Sequence, residues 1–432
     1  MRAGVVTVWD RGSVSRRAFV AGSTVGVGGL AGAGGLAGVA RGAVAETPFA
    51  DGTADAGLVY FDTFFTGATV DEKIAAMNAW HLSQAGNAPT PAVLFDAKQY
   101  PFSTPIKLFS GMALLGGKSA PAREYSRATV LNWTGGAGSS MFVFPGEQPS
   151  QGYPSDNSPR DVTVAWIQMQ GGGSTHCITK NDPSNSTHTG KVLWMSNFHG
   201  CGFKNFATVW WGWGDGTSIS GPTHVQGCTD TPFFLAGSEN SIFGTDAFSF
   251  MDSFLAAWAT AGKPFIRSRM EKSSIGHVMI TARQTASHLS VEGGGNLLVS
   301  GTCFDAQNAD PVHGSALRIS GGDGIVVQNV SFKGAMNAPA SAPGGTAANR
   351  GWAHVTGGSQ ITFGGNLFSR KGTAATAATP LVYVGSGVAV GQVKWGFNTY
   401  GNYAGANAVL QQAAANRLVV TTDPLLTVTT AV

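Results

Sequence analysis

The sequence predicts an all-β chain wound as a parallel β-helix, preceded by one substantial helix. Three observations lead there. After residue 86 the chain is a succession of short apolar and β-branched runs broken by Gly, Asn, Asp and Ser, the mark of many short strands. It holds 61 glycines in 432 residues, about twice the usual share, without the period of three that would indicate collagen. And a unit recurs: Leu289-Ser-Val-Glu-Gly293, Leu317-Arg-Ile-Ser-Gly321, Ala353-His-Val-Thr-Gly357 and Leu381-Val-Tyr-Val-Gly385 begin 28, 36 and 28 residues apart.

Taken in order, residues 1–45 read as an export signal. A charged start leads to Ala18–Ala40 without a charge, then to Ala43-Val44-Ala45, a small-x-small cleavage site. Arg16-Arg17 within Ser15-Arg16-Arg17-Ala18-Phe19-Val20 resembles the twin-arginine export signal, which implies a folded cargo and a secreted, extracytoplasmic destination. Those 45 residues hold five arginines and one aspartate. Without them the chain carries 22 basic and 23 acidic residues, net −1. A near-neutral chain without basic runs excludes nucleic acid or an anionic membrane surface as partner. No other stretch reaches eighteen uninterrupted apolar residues, so nothing else is expected to span a membrane once the signal is removed.

Thr69-Val70-Asp71-Glu72 has the form of a capping box, and Val70, Ile74, Met77 and His81 recur at helical spacing. A capping helix is therefore expected over about residues 70–86. In the repeats, a phenylalanine follows fifteen residues after each start at Phe304, Phe332 and Phe368, with Phe397 one position late. Alternating apolar residues then point inward, and the phenylalanine fills the core from the next face. The Pro/Ala/Gly-rich stretch Ala338–Thr346 accounts for the longer spacing as an inserted loop, and Val209, Phe233 and Phe265 extend the register upstream. Such a unit cannot bury its own apolar face and must stack on its neighbours. A propeller blade would need about 40–50 residues, so a β-helix fits better. A solenoid grows in one dimension, which lets residues 46–432 form one domain.

The opening coil carries a family likeness. Pro91-Ala-Val-Leu-Phe-Asp-Ala-Lys-Gln-Tyr100, followed by Pro105-Ile106-Lys-Leu108-Phe-Ser110-Gly111-Met-Ala-Leu114-Leu-Gly116 just after the helix, resembles the start of the pectate lyase-like superfamily. The resemblance implies a right-handed parallel β-helix that acts on, or grips, a long polysaccharide. That superfamily includes polygalacturonase-like hydrolases, polysaccharide lyases and phage tailspikes. The polygalacturonase pattern of Asn-Thr-Asp, Asp-Asp, Gly-His-Gly and Arg-Ile-Lys is only partly present, as Gly244-Thr245-Asp246, Gly276-His277-Val278 and Arg318-Ile319-Ser320, with no Asp-Asp pair. None of its catalytic roles is carried over.

Site candidates come from stacking. Six residues after Val209, Phe233, Phe265 and Leu317 stand Asp215, Glu239, Glu271 and Asp323, with Gly295 between the last two. Carboxylates one coil apart are near enough for acid and nucleophile, and those two coils apart leave room for a water. They equally fit as polar markers of the turn after each strand. Asp215, Glu239 and Glu271 are the candidate catalytic residues. Arg267 and Arg269 alternate along one strand and are expected on one face, to bind a charged sugar or to pair with Glu239 and Glu271. Trp210-Trp211-Gly-Trp213-Gly-Asp215 is the densest aromatic cluster. Alternation places Trp211 and Trp213 together as sugar platforms, with core packing as the other reading. Cys201 and Cys228, 27 residues apart, read as stacked core thiols in preference to a disulfide. Glycine runs such as Gly293-Gly-Gly295 read as turns. No metal and no cofactor is assigned, since the histidines lack zinc spacing and no loop has calcium-hand spacing.

The resulting expectation is a secreted enzyme cleaving an extended polysaccharide, glycoside hydrolase favoured over lyase. The alternative is a non-catalytic carbohydrate-binding rod, tailspike-like or at the cell surface, for which the tail strand from Leu418 offers an exposed edge to assemble a homotrimer.

Overall fold

The structure, a computed structural model, describes residues 57–84, 90–117, 128–145, 158–180, 192–221, 223–244, 253–258, 263–283, 287–306, 315–334, 352–370, 381–401, 409–421 and 427–430. The chain divides into units Met1–Thr53 and Ala54–Val432. Every described residue belongs to the second. The export signal, its cleavage site and the Ala338–Thr346 insertion lie outside the described residues.

The strand Leu58–Tyr60 is followed by the short helix Phe61–Phe64 and the helix Val70–Gln84. The capping box forms: Thr69 Oγ1 accepts from the Glu72 amide at 3.2 Å, and Glu72 Oε2 accepts from the Thr69 amide at 3.0 Å. Asn78 ties the helix to the opening coil, donating to the Pro105 carbonyl at 2.9 Å and accepting from the Lys107 amide at 3.0 Å. Its buried side, Ile74, Met77, Asn78 and His81, faces the protein interior.

The strands form sheets of thirteen, eleven and ten strands, with a three-stranded sheet beside the first coils. Among the described residues every strand pair is parallel, and from the strand Val192–Trp194 to the strand Thr399–Gly401 each coil contributes one strand to each large sheet in turn. Only a chain that winds continuously in one sense gives that order, which makes the fold a parallel β-helix. The inward positions stack into ladders. Phe304, Phe332, Phe368 and Tyr400 occupy one position in four successive coils of the eleven-stranded sheet. Phe332 and Phe368 lie ring on ring at 4.6 Å, and both are fully buried. Burying a phenylalanine from water contributes roughly 1.5–3 kcal/mol, so the aromatic spine is a leading favourable term.

The register corrects the sequence reading at three places. Leu289, Leu317 and Ala353 are partners as expected, but the next partner is Val382, not Leu381. Phe397 lies outside the aromatic ladder, 75% exposed on a corner with φ 56°, and Tyr400 takes the expected place. Upstream, Trp210 pairs with Phe233 and Phe233 with Ile266, so Val209 and Phe265 stand one residue early. Alternation cannot show such slips, because connections between strands vary in length while the period of two persists on both sides.

Corners between the ten- and thirteen-stranded sheets use left-handed backbone. Gly216, Glu239, Lys272, Asn296 and Gly324 follow one another there with φ between 47° and 64°. The next position inward is polar in the first three of these coils, Thr217, Asn240 and Ser273, and apolar in the next two, Leu297 and Ile325. Asn240, nearly fully buried, donates to the Gly214 carbonyl at 2.9 Å and accepts from the Thr217 amide at 3.2 Å.

Candidate functional site

The outer face of the ten-stranded sheet brings together most of the residues that carry chemistry. Its strands Trp210–Asp215, Phe233–Ser238, Ile266–Glu271, Leu289–Gly295, Leu317–Asp323, Ala353–Val355 and Val382–Val384 lie side by side. Side chains alternate inward and outward along each strand, so three outward columns cross the face. The first runs Trp211, Phe234, Arg267, Ser290, Arg318, His354 and Tyr383. The second includes Trp213, Ala236 and Arg269. The third, at the strand ends, runs from Ser238 through Glu271 and Gly295 to Asp323. Asp215 precedes Ser238 there: its carboxylate accepts from the Ser238 hydroxyl at 3.2 Å, and the next amide, Gly216, donates to the Ser238 carbonyl.

Glu271 and Asp323 therefore share one rim, two coils apart, both exposed, with Gly295 between them. Glu239 does not join them. Its strand runs one place ahead of the predicted register, so Ser238 takes the column position and Glu239 sits exposed on the corner with φ 55°.

The two arginines do share the outer face, and the Arg267 guanidinium lies 3.8 Å from the centre of the Phe234 ring. Its partner is neither Glu239 nor Glu271. Glu292 accepts both of its forks, Nε and Nη2, at 2.7 Å. Both side chains are mostly buried, 26% and 18% exposed, and Ser290 donates to Glu292 at 3.4 Å. Glu292 stands two residues beyond outward Ser290, so alternation itself puts it on the outer face; looking for carboxylates only six residues past each strand start passes it over. The run Glu292-Gly-Gly-Gly295 was the available signal.

That run is not a turn. Gly293, Gly294 and Gly295 lie within the strand Leu289–Gly295, and the neighbouring coil repeats the motif as Gly321-Gly322. Gly294 has φ +81°, and a Cβ there would lie 2.0 Å from the Met270 carbonyl oxygen. Only glycine fits that approach of successive coils. The result is a stretch of glycine backbone between the Arg267–Glu292 pair and the Glu271/Asp323 rim, with the Arg269 side chain against Gly293.

Of the tryptophans, Trp210 is buried in the core, and Trp211 and Trp213 share the outward side as expected. Trp211 offers no open platform: it is 8% exposed, its indole donates to the Thr231 carbonyl at 2.8 Å, and the Lys180 ammonium caps its ring at 3.7 Å. Trp213 is half-buried. Cys177, Cys201, Cys228 and Cys303 are free thiols. Cys201 and Cys228 occupy different corners, one before the strand Gly202–Lys204 and one after the strand Thr223–Gln226, so they are not a stacked pair. Burial pushes both up to about 12, out of the reactive range. Among the described residues, no group of three or more His, Cys, Asp or Glu could hold a metal ion, and no helix is long and apolar enough to cross a membrane.

Fold and face together define a parallel β-helix protein whose ten-stranded sheet carries charged and aromatic side chains and a glycine stretch on its outer side. No family model and no curated protein matches the chain. Among solved structures it is similar to DFA-IIIase from Arthrobacter chlorophenolicus A6 without its lid, at 13% identity and a TM-score of 0.59, over 87% of this chain and 99% of that one. The same enzyme in complex with GF2 matches at 13% identity and a TM-score of 0.57, over 86% of this chain and 93% of that one. The A-module of a mannuronan C-5 epimerase from Azotobacter vinelandii follows at 10% identity and a TM-score of 0.49, over 84% of this chain and 99% of that one. At 13% identity the DFA-IIIase likeness establishes the parallel β-helix and nothing finer.

Proposed function

We propose that the protein is an exported enzyme that cleaves a polysaccharide on the outer face of its ten-stranded sheet, as a glycoside hydrolase. The observation that carries this is the rim pair Glu271 and Asp323, exposed at equal positions two coils apart. Two strand spacings are about 9.6 Å, and inverting hydrolases hold their carboxyls about 6.5–9.5 Å apart to admit a water. In this reading one carboxyl protonates the glycosidic oxygen, while the other removes a proton from water attacking the opposite face of the sugar. Asp215 lies beyond Glu271 on the same rim, with Ser238 between, as a further anchor for hydroxyls. The Arg267–Glu292 pair fixes charge beside the glycine floor, where it orients sugar hydroxyls. Trp213 supplies an apolar ring edge further along the same sheet, three strands before the glycine floor.

Hydrolysis is preferred to elimination because the rim is built of carboxylates, and Arg267, on the same strand as Glu271, is held by Glu292. The DFA-IIIase of like fold has been solved with GF2 bound, which supports a saccharide ligand on this scaffold. The Arg16-Arg17 signal would deliver the folded enzyme across the membrane.

The test incubates Glu46–Val432 with a panel of plant, algal and microbial polysaccharides, following reducing ends and the absorbance of unsaturated uronates. New reducing ends without absorbance are expected. Glu271→Gln and Asp323→Asn abolish them, and Glu239→Gln does not. Full activity in both rim variants overturns the assignment; retention on a glycan without any turnover replaces it with the non-catalytic binding rod.

A further inference from the structure

The first column of the outer face does not end at the glycine floor. On the next two strands after that of Arg318, Ala353–Val355 and Val382–Val384, His354 and Tyr383 stand at the same outward position. Both are half-buried, and their rings lie 5.1 Å apart at 60°. The flanking groups are polar or small: exposed Arg318 on the preceding strand, Thr356 just past His354, and Gly385 and exposed Ser386 just past Tyr383. An aromatic ring edged by hydrogen-bonding groups matches a sugar, whose C–H face is apolar and whose rim is hydroxyl. On a sheet serving only its own stability, such a pair would be a cross-strand contact worth about 0.2–1 kcal/mol.

Position adds the second argument. From the strand of Trp213 to the strand of Tyr383 there are six strand-to-strand steps along one sheet, roughly 29 Å at about 4.8 Å each. The Glu271/Asp323 rim lies between these aromatic ends along the axis. A disaccharide centred on the rim reaches neither.

We propose that His354 and Tyr383 form a distal sugar-stacking subsite, the C-terminal end of a ligand track that runs along the solenoid axis from Trp213. The ligand is then a saccharide chain long enough to bridge both ends, cleaved internally. This rests on the saccharide reading of the face. It adds to that reading the ligand's direction, its minimum length and the residues that measure it.

The experiment uses dextran, laminarin, xylan and polygalacturonate, each as intact polymer and as a hydrolysate of two to four units. Retention in affinity gels and turnover are measured for the parent, Tyr383→Ala, Tyr383→Phe and Glu271→Gln. Tyr383→Ala is expected to weaken retention of the polymer about three- to tenfold, the loss of one stacked ring, while short-oligomer binding stays at parent level. Turnover shows the same split: KM for polymer rises and kcat holds. Tyr383→Phe, which keeps the ring, behaves as the parent. Polymer retention unchanged in Tyr383→Ala, or polymer and short oligomers weakened alike, overturns the track. If cleavage persists under that result, the hydrolase reading survives alone. If Tyr383-dependent polymer retention occurs without cleavage by the parent, the track stands and the hydrolase reading falls. Retention of none of the four polymers overturns both.

Discussion

The Arg267–Glu292 pair is the place where the face's architecture can be weighed. Replacing Arg267 by Met removes two charge-assisted hydrogen bonds of 2.7 Å and the guanidinium that lies 3.8 Å over Phe234. Exposed ion pairs contribute about 0.2–1 kcal/mol, whereas breaking a fully buried one costs about 3–5 kcal/mol. With the partners 26% and 18% exposed, this pair falls between, near about 1.5 kcal/mol after solvent screening. The cation–π contact adds about 1 kcal/mol. Arg267→Met should therefore cost about 2–3 kcal/mol. Glu292→Gln should cost only about 1 kcal/mol, because the guanidinium keeps its ring and a neutral amide replaces the carboxylate. The double variant should be less damaging than the sum, with a coupling of about 1 kcal/mol. Urea unfolding followed by tryptophan fluorescence, with all four proteins compared at low and at 1 M salt, measures the cycle. Most of the coupling should survive high salt, since a half-buried contact is screened little. Equal losses for the two single variants together with strict additivity would refute the reasoning: the pair would then be an ornament of the surface rather than a fixed charge at the floor.

Three further outcomes follow from partly or fully buried groups. His81 is fully enclosed against Trp80 and Phe109, and burial pushes its pKa down to about 4. The unfolded chain binds the proton near 6.5 and the folded one resists it, so stability is complete above about pH 6.5 and falls as pH drops towards 4. The loss is at most about 3 kcal/mol, and His81→Phe should flatten it in pH-dependent urea midpoints; an unchanged slope would show that His81 does not titrate in that window. Asp62 and Asp71 act separately and lower. Burial alone would raise both, but hydrogen bonds from Lys98 and Tyr100 to Asp62, and from the Ser103 and Thr104 amides to Asp71, outweigh it, so their contribution disappears only below the ordinary carboxylate range. For the cysteines, Cys177, Cys201 and Cys228 should resist a thiol-specific disulfide reagent in the folded protein and react fully in denaturant, with half-buried Cys303 the first to respond. Rapid labelling of three or more thiols without denaturant would contradict this packing.

The sequence by itself determined the architecture. The recurrence from Leu289 to Leu317 to Ala353 became a strand register, Phe304, Phe332 and Phe368 became a stacked core, and the box at Thr69 and Glu72 closed as written. These signals are local or strictly periodic, and an unburied apolar face leaves a repeating strand unit no choice but to stack. It also placed Arg267 and Arg269 on one outer face, because alternation within a single strand needs no knowledge of its neighbours.

Which residues meet across coils was decided by the tertiary structure. Coil length is not constant: one turn takes 21 residues from Asn197 to Ser218, another 36 from Val326 to Thr362. A slip of one residue in those connections exchanged Ser238 for Glu239 on the rim. The stacking of Arg267 opposite Ser290 brought Glu292 within its reach, and Lys180, from a different strand run, closed over Trp211. Each of these is a contact between residues far apart in the chain, set by bulges and corners whose geometry depends on the backbone stacked above and below. Spacing along one strand carries no record of it. The period of two says which face a side chain takes, and only the stacked coils say which neighbour it finds there.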